Sequence, residues 1–202
     1  MLEDVKQALL AHQWLHLHIQ EDTARVQGSI IVPGDRFNVE ILFLPDYPRS
    51  LPEVQETAAR IPRIQDRHIN PIDNTACVCI PDEWFLQRKD ESFSTFLQGP
   101  VYNFFLSQKH FEIHKTWPFG DRRHGNDGLL DFYREQFGTQ DRTTITEYIR
   151  CLSQEKIKGH WNCPCGSGKR IRNCHGDKIH ALRSKVPSHI AIKTLERLLS
   201  NR

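Results

Sequence analysis

Two groups of residues in this 202-residue chain have the types and spacing that chemistry needs. The first is a His-x-Asn unit, His68 and Asn70, followed by a Cys-x-Cys pair, Cys77 and Cys79, with Cys79 eleven residues after His68. A thiolate attacks a carbonyl carbon, and an amide N–H nearby steadies the oxyanion that results, so a thiol beside an amide side chain suits acyl transfer. Cys77, Cys79 and His68 are also metal-ligand types, but the spacing supplies no clear fourth ligand nearby. The second group lies in residues 163–176, CPCGSGKRIRNCHG. Cys163, Cys165, Cys174 and His175 offer three thiolates and one imidazole. That set fills a tetrahedral zinc shell with no open position, the mark of a structural site. Gly166, Ser167 and Gly168 permit the tight turn that returns the second pair to the first.

Hydrophobic periodicity indicates the elements that must position these groups. Leu2, Val5, Leu9 and Leu10 are spaced for a short opening helix. Leu15, Leu17 and Ile19 alternate with polar residues, which predicts a strand. Residues 25–32 and 37–44 continue the pattern, with Pro33-Gly34-Asp35 as the turn between them and a shorter strand at Val54. Consecutive strands joined by short turns predict an antiparallel meander. Residues 58–92 are polar with little periodicity, so the His-x-Asn and Cys-x-Cys units are expected on a long loop, where function collects. Helical character returns from Phe93 to Phe111, broken at Gly99-Pro100. A short helix is expected over Leu129–Phe137. Another follows with Thr144 and Glu147 as a capping box and Ile145, Tyr148, Ile149 and Leu152 on its apolar face. Cys151 falls on that helix as a small core residue. A last helix is capped by Ser188, with Ile192, Leu195 and Leu199 on one side. The fold class is α+β.

Composition bounds the rest. Hydrophobic residues make up 38% and charged residues 26%, which suits a soluble globular protein and argues against wholesale disorder. No apolar run reaches the length of a membrane span, so no membrane partner is expected. The opening MLEDVKQALLAHQ is acidic and amphipathic and does not read as a secretory signal. The six cysteines are therefore expected to be thiols and metal ligands in a cytoplasmic protein, the disulfide framework being the alternative. From Lys156 onward the chain has eleven Lys and Arg against two acids; the part before it carries a net charge of −7. That step predicts a boundary near residue 155, between a domain of residues 1–155 and a module of residues 156–202. It also predicts that the basic tail meets an acidic partner, a solvated basic face being the alternative.

The order helix, meander, Tyr-Pro turn, His-x-Asn, cysteine, helices resembles the ubiquitin-conjugating enzymes. Tyr47-Pro48 and Leu51-Pro52 match the Tyr-Pro and Pro segment of that family. His68-Ile69-Asn70 matches its His-Pro-Asn motif with isoleucine in place of proline. Ala76-Cys77-Val78-Cys79-Ile80 matches the sequence around its nucleophile. The resemblance spans roughly residues 1–150. The stretch Thr116–Gly125, TWPFGDRRHG, has no counterpart in the eukaryotic enzymes and is similar to prokaryotic relatives of bacterial anti-phage operons. The resemblance implies that Cys79 accepts an acyl group as a thioester and passes it to an amine, with Cys77 the alternative nucleophile. Asn70 would donate to the tetrahedral oxyanion or brace the loop. His68 would bond the loop backbone in preference to acting as a base. Asp82 would orient or deprotonate the attacking amine. The implied acyl donor is a ubiquitin-like modifier or the C-terminus of a nucleotidyltransferase that makes cyclic oligonucleotides. A target protein is the acceptor, with or without a separate activating enzyme. Arg122, Arg123 and His124 suit an acidic partner surface or a C-terminal carboxylate, with loop-anchoring salt bridges the alternative.

The Cys163–Gly176 stretch resembles the SEC-C motif, the zinc-binding tail of the bacterial SecA translocation ATPase, over about 20 residues. One structural Zn²⁺ per chain and a docking role are implied. So short a knuckle has almost no core of its own, and the metal is expected to supply its folding free energy.

Overall fold

Alternating apolar residues after Leu15 form a sheet, and the segments spaced for helices surround it in sequence. The computed structural model describes residues 2–21, 23–118, 123 and 125–200. In chain order the elements are helix α1 (Leu2–Leu9), strands β1 (Leu15–Gln20), β2 (Thr23–Val32), β3 (Asp35–Phe43) and β4 (Glu53–Glu56), and helices α2 (Pro81–Gln87), α3 (Phe93–Phe96), α4 (Tyr102–His114), α5 (Gly125–Phe137), α6 (Arg142–Ser153), α7 (Gly176–Lys185) and α8 (Ser188–Ser200). The class is α+β. The chain divides into two compact units, Met1–Cys79 with Arg88–Arg122, and Ile80–Gln87 with Arg123–Arg202.

The first unit holds a four-stranded antiparallel meander in the order β1-β2-β3-β4. Leu15 pairs with Gly28, Ile30 with Phe37 and Ile41 with Val54, and Val26, Ile30, Phe37, Val39, Ile41 and Val54 fill the core on one face. Gly28 must be glycine: its φ is +143°, and a Cβ there would lie 1.9 Å from the Trp14 carbonyl oxygen. Leu97–Val101 forms a π-helical turn around Gly99-Pro100 between α3 and α4, where the sequence predicted a break. Proline has no N–H to donate, so the wider turn absorbs the missing bond.

Residues 58–92 are less irregular than their composition predicts. Gln65–Arg67 forms a 3-10 turn, and α2 lies inside the stretch. Pro81 opens α2, where its missing N–H costs nothing, and Asp82 and Glu83 occupy the first turn.

The second unit is built around one aromatic and aliphatic core. Leu129, Tyr133, Phe137, Ile145, Tyr148, Ile149 and Leu152 from α5 and α6 pack in one cluster with Cys163, Ile171, Ile179, Leu182, Ala191 and Leu198. The charge step at residue 155 therefore falls inside this cluster. Charge describes a surface, whereas a compact unit follows the apolar faces that must be buried together. Two local expectations also change. The N-cap of α6 is Asp141, whose side chain accepts from the Thr144 amide at 2.8 Å, so Thr144 sits inside the first turn. The buried face of α8 is Ile190, Ala191, Thr194 and Leu198, and Ile192 is exposed. Counting the small residues Ala191 and Thr194 as core positions rotates the face from the one marked by the leucines.

Candidate functional site

In the first unit the His68 loop is built on α4. The fully buried Gln108 of α4 accepts two hydrogen bonds from the Arg67 guanidinium, at 3.0 and 2.7 Å, and donates to the Arg67 carbonyl at 2.7 Å. The guanidinium also lies 4.7 Å from the Phe111 ring centre. Trp117 packs against Phe111 at 4.6 Å and edge-on to His68 at 4.8 Å. His68 itself is left-handed, with φ 52°, and caps the 3-10 turn through its amide. Its carbonyl accepts from the Cys77 amide at 2.8 Å, Ile69 bridges Ala76, and the Asn70 amide donates to the Thr75 carbonyl at 2.9 Å. The His-x-Asn segment and the segment entering the Cys-x-Cys pair therefore lie side by side. Cys77 is exposed and Cys79 half-buried.

The Asn70 side chain is engaged at both ends. Its Nδ2 donates to Asp73 Oδ2 at 2.8 Å, and its Oδ1 accepts from the Ile72 amide at 3.1 Å. The Thr75 hydroxyl and amide complete the cluster on Asp73 Oδ1. Burial opposes ionisation of Asp73, but the bonds from Thr75 and Asn70 outweigh it and hold the carboxyl below its usual range. Of the two roles implied for Asn70, this geometry is that of a brace.

Asp82 belongs to the second unit and is 1% exposed. Tyr133 donates its hydroxyl to Asp82 Oδ1 at 2.5 Å and Thr194 donates to Oδ2 at 2.7 Å. Burial pushes this carboxyl up from its ordinary value of 3.8, against those two hydrogen bonds. A carboxyl whose folded pKa is raised gives stability that is complete below 3.8 and is lost as pH rises through the folded value. Asp82→Asn removes that titration. Its thermal midpoint is expected to gain on wild type as pH is raised above 3.8, until the folded carboxyl is itself ionised. Asp82→Ala leaves two buried hydroxyls without an acceptor and should cost about 1–3 kcal/mol for each. A constant gap between Asp82→Asn and wild type across pH would show that Asp82 is ionised throughout. Tyr133 and Thr194 carry no sequence signal for this role, because one reads as core aromatic and the other as helix surface.

Arg123 makes an ion pair with Asp131, its Nε 2.7 Å from Oδ2, a salt bridge that anchors its loop. Arg122 and His124 lie outside the described residues.

The four ligand types of the second group converge. Their ligand atoms all lie within 4.8 Å of one another. His175 Nδ1 is 3.3 Å from both Cys163 Sγ and Cys174 Sγ, and Cys165 Sγ is 3.5 Å from Cys174 Sγ. A tetrahedral shell with metal–sulfur bonds of about 2.3 Å and metal–nitrogen bonds of about 2.1 Å spaces its ligands roughly 3.5–3.8 Å apart. The set fits a metal ion. The Cys163 amide donates to the Lys169 carbonyl at 2.9 Å, and Asn162 bridges Arg170, closing the turn that carries the first pair. Gly166 and Gly168 sit at φ 76° and 72°, where only glycine is unstrained. Cys174 and His175 come from the short connection that opens α7. The Ser167 hydroxyl, 3.1 Å from Cys165 Sγ, holds that thiol down at about 6, whereas burial pushes Cys163 up. Cys151 stands outside the cluster, its thiol pushed up to about 11 by burial.

The cluster is not a freestanding knuckle. Cys163 and Ile171 are buried in the core of the second unit. Phe137 stacks on Tyr148 at 3.8 Å, and Tyr148 meets the His175 ring edge-on at 5.5 Å. The expectation that the knuckle has almost no core holds for its own residues and fails for the unit, because α5 to α8 supply one.

No family model, no curated protein and no solved structure matches this chain. No helix among the described residues is long and apolar enough to cross a membrane.

Proposed function

We infer that the chain is a cysteine-dependent conjugating enzyme of the bacterial anti-phage kind, with a zinc module that recruits a partner. The Cys79 thiolate attacks the carbonyl of a protein C-terminus carried as a thioester on a separate activating enzyme, passes through a tetrahedral oxyanion and expels that enzyme's thiolate, so that the acyl group is now a thioester on Cys79. An amine on the target then attacks that thioester and releases the thiolate. The donor is a ubiquitin-like modifier or a nucleotidyltransferase C-terminus. The observation that supports this reading is the backbone pairing of residues 68–70 with residues 75–77, which sets the Cys-x-Cys segment beside the His-x-Asn segment at the end of a meander. Asp82, enclosed between Tyr133 and Thr194, takes no part in the transfer.

The metal of the Cys163, Cys165, Cys174 and His175 set is zinc in this reading. Three thiolates and one imidazole in a closed tetrahedral set suit a metal without redox chemistry. Lys169, Arg170, Arg172 and Lys178 are exposed around it and suit an acidic docking partner.

A second reading, an adaptor that keeps the conjugating architecture without the chemistry, is favoured by the engagement of both ends of the Asn70 side chain. The two separate in one experiment. Cys79→Lys, purified from cells containing the neighbouring genes, is expected to carry an amide-linked protein that mass spectrometry identifies. An unmodified Cys79→Lys protein that still co-purifies with a partner would establish the adaptor.

A further inference from the structure

The first unit carries a second feature that the thiol loop does not use. Strand β2 runs past the start of β1. Its residues Thr23 to Gly28 pair with β1, whereas all of Ala24 to Val32 pair with β3. Along β2 the odd-numbered residues turn their N–H and C=O toward β1, because Ser29 donates its amide to the Trp14 carbonyl at 2.9 Å. Ile31 has the same parity. Its N–H and C=O, with the Ser29 carbonyl, project beyond Leu15, and nothing among the described residues bonds them. A short strand edge is left open.

That edge borders a cavity of about 680 Å³, within the size range of ligand sites, roughly 300–1,000 Å³. Ser29 to Ile31 form one wall, the turn from Leu10 to Trp14 another, and Leu97, Gln98 and Tyr102 a third. Three of the large apolar side chains most exposed in the described structure line it: Leu10 at 78%, Trp14 at 53% and Ile31 at 45%. His12 is also on its lining, and its Nε2, enclosed within the protein, has no hydrogen-bond partner among the described residues. No lining residue is Asp, Glu, Lys or Arg. A charged occupant would therefore be desolvated with no counter-charge.

We propose that the open edge of β2 at Ser29–Ile31 and the adjoining cavity bind an extended, uncharged peptide segment of a partner protein. The segment adds to the sheet through the Ile31 N–H and C=O and the Ser29 C=O. It seats a large apolar side chain against Trp14 and Leu10. The bare backbone groups require an extended chain, since only a strand presents donors and acceptors at the spacing of an edge. The charge-free lining selects apolar residues with neutral neighbours. A second copy of this chain is a poorer occupant, because a stable interface of globular surfaces needs about 20–30 residues a side, and eleven line this cavity.

The test uses the full chain and a phage-displayed library of random heptapeptides, followed by synthesis of the selected sequence. Selected peptides are expected to share a large apolar residue and to lack charge. Binding should slow amide exchange at Ile31, which is open in the free protein, and leave Ile30, already paired to Phe37, unchanged. Trp14→Ala should weaken binding at least tenfold. Ile31→Pro deletes the edge donor on the side that β3 does not use and should weaken it similarly. Should Ile31→Pro fail to fold, N-methylation of the peptide residue facing the edge removes the same pairing from the other partner. Enrichment of charged sequences, no enrichment over the Trp14→Ala protein, or binding indifferent to both backbone changes would overturn the proposal. So would a concentration-dependent dimer that Trp14→Ala abolishes, which would assign the edge to a second copy.

Discussion

Loss of a metal held by Cys163, Cys165, Cys174 and His175 is expected to destabilise the second unit severely. Elemental analysis of the wild-type protein should show about one equivalent of zinc, and Cys163→Ser/Cys165→Ser should show none. The expected magnitude follows from two quantities. Structural zinc binds with about 10–16 kcal/mol of apparent free energy, and a domain is stable by about 5–15 kcal/mol. Losing the metal is therefore comparable to losing the fold. The shared core moderates this, because Ile171, Ile179 and Leu182 pack on Tyr148 and Leu152 without help from the metal. We expect the thermal midpoint of the second unit to fall by at least about 15 °C, the shift that a loss of a few kcal/mol produces in a domain this small. Residues 154–176 should become protease-sensitive at the same time. Cys151→Ser, outside the cluster, should retain the full equivalent. Unchanged zinc in the double variant would move the metal to other ligands, with Cys77 and Cys79 the next to test.

Cys79→Ala is expected to abolish adduct formation, and Cys77→Ala to leave substantial activity. In the proposed reaction Cys79 is the nucleophile, and without a nucleophile there is no covalent step. A thiol reductant should release the adduct from wild type, since thiols attack thioesters. The adduct on Cys79→Ser should resist release, since an oxygen ester is less reactive toward thiols. The reverse pattern, activity in Cys79→Ala and none in Cys77→Ala, would exchange the two roles. Full activity in both would refute the catalytic reading. The role of Asn70 separates in the same assay. Its Nδ2 donates to Asp73, so as a brace it should be as sensitive to Asp73→Ala as to its own loss. Both variants should then slow transfer by similar factors. A rate lower by about 10²–10³ in Asn70→Ala alone would assign it the oxyanion.

Much of this architecture follows from local pattern. The four strands, their meander order and the Pro33-Gly34 turn are legible because a period of two in a half-buried strand admits no other register without exposing the core. The metal set is legible because its ligands are close in sequence, and only their residue types and a glycine turn are needed. The π-helical turn at Gly99-Pro100 is legible as a break, because proline removes a donor wherever it sits. The helix α2 is not legible even though Pro81-Asp82-Glu83 is a helix start, since a polar stretch hides a helix of seven residues.

By itself, the sequence determined the α+β class, the meander and the four residues that converge in a set able to hold a metal ion. These rest on spacing along one chain. Tertiary structure decided what pairs across distance. It enclosed Asp82 between Tyr133 and Thr194, which lie 51 and 112 residues away. It tied Arg67 to Gln108, and it placed the loop of Cys163 against Tyr148. It also divided the chain by shared burial and not at the charge step near residue 155. The reason is common to all four. A side chain's partner is set by which apolar faces must be buried together, and the free energy of that burial belongs to the whole unit and to no single stretch of sequence.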